Sequence, residues 1–358
     1  MTYENWSVLS ADFLILLHLT IGGVTFASLL HLASGRWRYH VRDIAVSLFG
    51  LYPLVFALLL VLLVAGLMGQ GPFPWMRHDA VAGEELNGWH DKGFFVAREV
   101  LGLLFVGWLW RRFIRLQAVS ERTEQDWDRF KFTANFIPVF HVLYGTMVAW
   151  DFEMTLIPRW HSAVYGMYHF VSNFGMFLGV MAASVHLLSR RNALARPVPE
   201  IIMNYLAQMM LAFTILWTYL FFAQYLTIWY GNIPHERNRI ENMVVGDYAW
   251  LWWTFLSLKF LTPFLFLIFT YFRHSPSSIF RIGLVILAGT WIERFVWIGA
   301  SMPSTSFTQS PSPFFNWIDW VVTAVVLAVA LGLYRRALAG NGVTRSLLGA
   351  EAAAIQAA

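Results

Sequence analysis

Long apolar runs constrain this chain more than any motif does. There are about nine, at roughly 7–31, 44–68, 93–115, 132–150, 161–188, 201–229, 246–271, 280–302 and 314–335. About twenty apolar residues cross a hydrocarbon core of roughly 30 Å as a helix. Membrane strands would alternate apolar and polar residues, whereas these runs are apolar nearly throughout. A helix also satisfies its own backbone groups where no water can. The sequence therefore predicts an all-α polytopic membrane protein. The gaps are short, so the spans form one membrane body. Charged residues are 13% of the 358 and hydrophobic ones 58%, against about 25% charged in an average soluble chain.

The first run follows Trp6 without a basic leader and is too long for a signal-peptide core, so no cleavable signal peptide is expected. The chain has no cysteine, which excludes thiolate-held zinc or iron–sulfur clusters and covalently attached c-type haem within it. The pI near 9.4 comes from loop Lys and Arg and implies no nucleic-acid partner. No phosphate loop, dinucleotide fingerprint, zincin motif or nucleophile elbow occurs. Gly22-Gly23 in the first run allows close helix packing.

Basic residues gather in alternate loops: Arg36, Arg38 and Arg42 after the first run, Arg111, Arg112, Arg115, Arg122, Arg129 and Lys131 after the third, Arg190, Arg191 and Arg196 after the fifth, Arg273 and Arg281 after the seventh, and Arg335, Arg336 and Arg345 after the ninth. The intervening loops are acidic, mixed or neutral, with Asp79, Glu84, Glu85 and Asp91 after the second run and no charge in 303–313. The positive-inside rule then places the N-terminus outside and the C-terminus in the cytoplasm. Trp250, Trp252 and Trp253 read as interfacial belt and packing. The tail from Ala337 to Ala358 reads as a short helix or disorder.

Ionisable residues inside the runs carry most of the functional information, because each is costly in lipid unless paired or hydrated. His18 lies mid-run in the first span. Arg98 and Glu99 lie in the third, His141 and Asp151 in the fourth, His161 and His169 in the fifth, Lys259 in the seventh, Glu293 and Arg294 in the eighth, and Asp319 opens the ninth. Neighbours one apart on a helix do not face each other, so Arg98, Glu99, Glu293 and Arg294 are expected to find partners on other helices. One such arrangement is an ion pair between the third and eighth spans. Lys259 needs an acid, for which Glu293 and Asp319 both serve. The histidines admit two readings. One is a di-haem cytochrome b: His18 and His31, thirteen apart, have a spacing that spans two stacked haems, while His169 and His186, seventeen apart, match it less well. Proton handling or hydrogen bonding suits His141, His161 and His169 better.

Two aromatic and ionisable clusters end the fourth and sixth runs: Trp150-Asp151-Phe152-Glu153 on to Pro158-Arg159-Trp160-His161, and Trp229-Tyr230-Gly231-Asn232-Ile233-Pro234-His235-Glu236. The topology puts both on the outer face, as parts of one site. The order "DFEMTLIPRWHSAVYGMYHF", "FFAQYLTIWYGNIPHE", "GDYAWLWW…LKFLTPF", "TWIERFVWIGASMP", then Asp319, resembles the polysulfide-reductase membrane-subunit (NrfD-like) family over nearly the whole chain. Within it the sequence is most similar to the quinol-oxidoreductase membrane subunits of bacterial alternative complex III.

The resemblance implies two four-helix bundles, at 1–158 and 159–312, with an extra helix and cytoplasmic tail at 313–358. It implies a bacterial inner-membrane subunit with no metal of its own, taking quinol or quinone (menaquinone or ubiquinone) as substrate. Its partners would be periplasmic iron–sulfur and multihaem cytochrome c subunits, a homologous membrane subunit and lipids. Quinol would lie near the outer ends of the first, third and fourth spans. Asp151, His141 and Glu99 are then the expected proton acceptors, and Trp150, Glu153, Trp160, His161 and Tyr165 the expected quinone contacts, with Trp150, Trp160 and Tyr165 sandwiching the ring. His18, His169, Lys259, Glu293, Arg294 and Asp319 are the expected proton path. Two positions depart from the family pattern. Gly145 stands where a histidine is expected, with His141 one turn deeper, and Lys259 stands where His or Asn is usual. Features of both sister membrane subunits are mixed here. The competing readings are a stand-alone proton or ion transporter, with Pro263 as the one candidate helix break, a di-haem anchor, and a purely structural anchor.

Overall fold

The computed structural model describes residues 3–76, 86–301 and 317–344. Among these, all regular structure is helical apart from one isolated bridge, Leu194 to Thr344. Nine of the described helices are long and apolar enough to cross a membrane, so the chain is a multi-pass membrane protein.

The first span is α1 (Tyr3–Leu32). The second is α2 (Arg38–Val46), running through a 3-10 turn, Ser47–Leu51, into α3 (Tyr52–Leu67). The third to sixth are α4 (Lys92–Val119), α5 (Glu124–Phe152), α6 (Tyr165–Arg190) and α7 (Ile201–Gly231). A short extramembrane helix, α8 (Pro234–Val244), leads to the seventh span. That span runs through α9 (Ala249–Leu256), a π turn at Ser257–Leu261 and α10 (Thr262–Leu267), followed by the one-turn α11 (Thr270–Arg273). The eighth and ninth are α12 (Pro276–Gly299) and α13 (Trp317–Gly340).

Helices α1 to α5 pack among themselves, as do α6, α7, α9–α10 and α12; α1 lies at the seam, touching α5, α6 and α12. Its most apolar stretch is 94% buried, against 22% for α13, which leans on α1 and the Ser47–Leu51 turn from outside. Small residues make α1 a central post. A Cβ on Gly23 would sit 2.1 Å from the Ala45 carbonyl oxygen, and one on Gly22 would meet Phe177 at 3.1 Å. The hydroxyls of Ser10, Thr20 and Thr25 donate to carbonyls one turn back, at 2.7–2.9 Å, so the post buries no orphaned hydroxyl at these positions.

Pro138 lies inside α5. Proline has no N–H to offer the carbonyl four residues earlier, Ala134, and the Ser28 hydroxyl of α1 donates to that oxygen at 2.7 Å. The helix stays continuous because a neighbour replaces its lost bond. Ser28→Ala is expected to cost about 1–3 kcal/mol, read as a lower unfolding midpoint of the solubilised protein.

Two expectations need correction. The fifth span begins at Tyr165, so His161 lies before it, exposed. Pro138 is a second intrahelical proline beside Pro263. The seventh span holds as one helical span, with a π turn at Lys259. The three tryptophans divide between packing and belt: Trp252 is 2% exposed, while Trp250 and Trp253 are exposed. The acidic Asp79, Glu84 and Glu85, the neutral stretch 303–313 and the tail from residue 345 lie outside the described residues.

Candidate functional site

Both aromatic clusters end helices, and both do so at one end of the bundle. Helix α5 stops at Phe152 and a 3-10 turn, Met154–Leu156, follows. Helix α7 stops because Asn232 takes the left-handed conformation (φ 50°), and Pro234 opens α8. Helix α8 then folds back over the first cluster. Arg239, 2% exposed, donates to the carbonyls of Glu153 (2.6 Å) and Met154 (2.9 Å) and to Ser301 Oγ (2.8 Å). Its guanidinium lies over the rings of Trp160 and Trp297, at 4.5 and 5.1 Å from their centroids. The Trp160 indole N–H reaches the Glu236 carbonyl at 3.3 Å.

The segment before α4 closes the same end. Asp91 caps α4 by accepting from the Phe94 N–H at 2.7 Å, which orients Arg98 two turns on. Arg98 grips Asp151 with two nitrogens, at 2.7 and 2.6 Å, and lies 4.1 Å from the Trp89 ring centroid. The Trp89 indole donates to the same Asp151 at 2.7 Å. Burial pushes the nearby His90 imidazole below its ordinary value. Asp151 thus has both oxygens engaged. Glu99, one residue beyond Arg98, is 0% exposed, and its carboxyl lies against Asp151 and the hydroxyl of buried Tyr144.

A second polar layer lies deeper, across the seam. Glu153 Oε2 accepts from Tyr165 (2.7 Å) and Arg294 (2.5 Å), and faces His169 Nδ1 at 2.8 Å. His169 Nε2 is 2.8 Å from His18 Nε2. Arg294 also reaches His169 Nδ1 at 2.5 Å and Glu293 at 3.1 Å. Glu293 then accepts from Lys259, Tyr168, Ser172 (2.6 Å) and the Trp217 indole (2.9 Å). His169 Nδ1 therefore sits between a pure donor, Arg294, and an acceptor, Glu153. The neutral ring can accept from the first or donate to the second, and both tautomers are seated. Beyond His18, the His141 ring stacks at 6.1 Å, and His141 Nδ1 bonds to Thr25 Oγ1 at 2.7 Å. Gly145 leaves space here: a Cβ on it would stand 3.6–3.7 Å from the two imidazoles.

No family model matches this chain, and no curated protein matches it.

The structure joins His18, Glu153, Tyr165, His169, Lys259, Glu293 and Arg294 in one network, with His141 beside it. It gives Lys259 to Glu293 rather than Asp319. It puts no ion pair between the third and eighth spans, since Arg98 takes Asp151 of the fourth. Glu293 and Arg294 do touch, against the expectation from their adjacency, because both side chains turn toward the seam. Asp319 stands apart: Asn5 donates to it at 2.5 Å, beside Asp12, which accepts from Trp291 (2.7 Å) and Thr323 (2.9 Å). The three aromatics do not form an open sandwich. Trp160 and Tyr165 pack edge-to-face on each other at 5.5 Å, and Trp150 packs on Trp89. His161 is exposed, and so are Trp229 (60%) and Tyr230 (84%). At 2.8 Å the His18 and His169 nitrogens leave no room for iron between them, which would need roughly 4 Å, twice a metal–imidazole bond.

Sequence reasoning missed Arg239, Asp12, Tyr168, Ser172 and Trp217. Asp12 offered a signal, as an acid within the first apolar run. Arg239 did not, because its surroundings read as a solvated loop.

Proposed function

We propose that this chain is a membrane subunit of a quinol:electron-acceptor oxidoreductase of the alternative complex III type, and that its buried network carries protons released from quinol. The observation that supports this is the hydrogen-bonded series His18, His169, Glu153, Arg294, Glu293, Lys259. It joins titratable groups of both bundles across the seam. Oxidation of one quinol releases two protons and two electrons. In this reading the electrons leave through iron–sulfur and c-haem subunits docked over the two aromatic clusters, and those clusters face the periplasm. The protons pass to side chains of this chain.

Glu99 suits the role of first proton acceptor better than Asp151. A general base needs a free lone pair within reach of the substrate hydroxyl. Asp151 has both oxygens held by Arg98 and Trp89, whereas Glu99 lies against Asp151 and the Tyr144 hydroxyl and is clamped by no cation. Asp151 holds the loop that covers the site. Glu99→Gln is expected to slow quinol oxidation by the whole complex about 10²-fold or more while assembly is retained. Asp151→Asn is expected to lower activity together with the unfolding midpoint. An unchanged rate in Glu99→Gln removes it as the base.

The π turn in the seventh span favours a second reading, a stand-alone proton or ion transporter, because π turns inside helices often mark functional sites and Lys259 lies in this one. Reconstitution separates the two. A transporter purifies alone and moves protons in vesicles without a redox partner. A complex subunit co-purifies with haem- and iron–sulfur-bearing proteins and is silent alone.

A further inference from the structure

At the end of the bundle opposite the aromatic clusters, α4 and α5 form an open cavity of about 560 Å³ lined by Trp108, Arg111, Arg112, Arg115, Leu116 and Arg129. Four arginines line it, all of them exposed, and no carboxylate does. None of the four forms an ion pair among the described residues. Two acids of the adjoining turn are engaged elsewhere: Glu121 faces Arg42 at 3.8 Å, and Asp126 accepts from Thr123 at 2.8 Å. The one side-chain bond is long, from Arg112 Nε to Thr133 Oγ1 at 3.5 Å. Four exposed cations around one pocket, with no ion pair among the described residues, make a seat for an anion.

The surface beside the cavity says which anion. Trp108 touches Phe105 (5.9 Å between centroids), Phe105 touches Phe140 (4.8 Å), Phe140 touches Phe136 (6.4 Å) and Phe136 touches Phe132 (5.0 Å). Trp108, Phe105, Phe136 and Phe132 are 39–63% exposed. This aromatic floor runs from the arginines toward mid-membrane along α4 and returns to them along α5. A free phosphate would use the arginines and leave the floor bare. A phospholipid uses both.

We infer that this cavity and its aromatic floor bind an anionic phospholipid carrying two phosphodiesters, of the cardiolipin type, with the phosphates on Arg111, Arg112, Arg115 and Arg129 and the acyl chains against Phe105, Phe136 and Phe140. Each phosphodiester offers two charged oxygens, a match to a guanidinium fork. Four forks outnumber what one phosphate engages. Basic pockets between membrane helices are known seats for such headgroups.

The test is native mass spectrometry of the full chain in detergent, titrated with cardiolipin, phosphatidylglycerol or phosphatidylcholine. Wild-type protein is expected to hold cardiolipin best and phosphatidylcholine not at all. Arg111→Gln/Arg115→Gln is expected to bind cardiolipin about tenfold more weakly. Arg335→Gln/Arg336→Gln, the same charge change on α13, is expected to bind as wild type does. Arg129→Gln, a single change on α5, reads the same site if the double variant fails to fold. Equal affinity in wild type and both cavity variants overturns the proposal. So does equal weakening by the α13 pair, or complete displacement of cardiolipin by excess inorganic phosphate.

Discussion

Glu293→Ala is expected to lower stability by about 3–5 kcal/mol, the largest effect of any single change in the deeper layer. Glu293 is 0% exposed and its two oxygens receive Lys259, Arg294, Tyr168, Ser172 and Trp217. Alanine leaves the Lys259 ammonium buried without an acid and strands three further donors. Arg294 keeps Glu153, so the damage centres on Lys259. Removing both charges reverses most of it: Glu293→Gln with Lys259→Met is expected to recover all but about 1–2 kcal/mol, since a buried ion pair replaced by neutral groups of similar volume is near neutral. Equilibrium denaturation of the three variants measures both steps. A Glu293→Ala protein within about 1 kcal/mol of wild type would mean that this ion pair does not hold the second bundle together. The repaired double variant has a second use. If it folds and assembles but no longer passes protons, the pair carries protons as well as fold.

The spans were legible because twenty consecutive apolar residues leave the backbone little choice in lipid. The partners were not, because pairing depends on the rotation of each helix about its own axis. Arg98 and Glu99 are adjacent in sequence, yet one is clamped by Asp151 and Trp89 and the other turns toward Tyr144, a difference set by where α5 lies. Arg239 sits in a run of charged and polar residues that reads as solvated, but α8 folds the run back over the ends of α5 and α12. The π turn at Lys259 has no local sequence signal apart from Pro263 four residues on. The aromatic cluster at 229–236 read as half of a binding site, and the structure gives it another part: Gly231, Asn232 and Pro234 end one helix and start the next, while Trp229 and Tyr230 face outward. Its contribution to the site is the turn that brings Arg239 home.

His169→Phe is expected to slow proton transfer about 10²-fold or more while leaving the fold close to wild type. His169 joins His18 of the first bundle to the Glu153–Arg294 pair, which itself links the end of α5 to α12. Phenylalanine fills the space and severs the bridge, but Glu153 keeps Arg294 at 2.5 Å and Tyr165 at 2.7 Å, so no charge is orphaned and the stability cost is held to about 1–2 kcal/mol. His18 loses its Nε2 partner and His141 keeps Thr25. His18→Phe should slow transfer to the same extent, and the double variant no further, because both changes cut one path. Quinol-driven proton release from the intact complex in vesicles, followed with a pH dye, reads the effect. Additive losses in the double variant would mean two independent routes, and an unchanged rate in either single variant would mean that the seam is a structural seal.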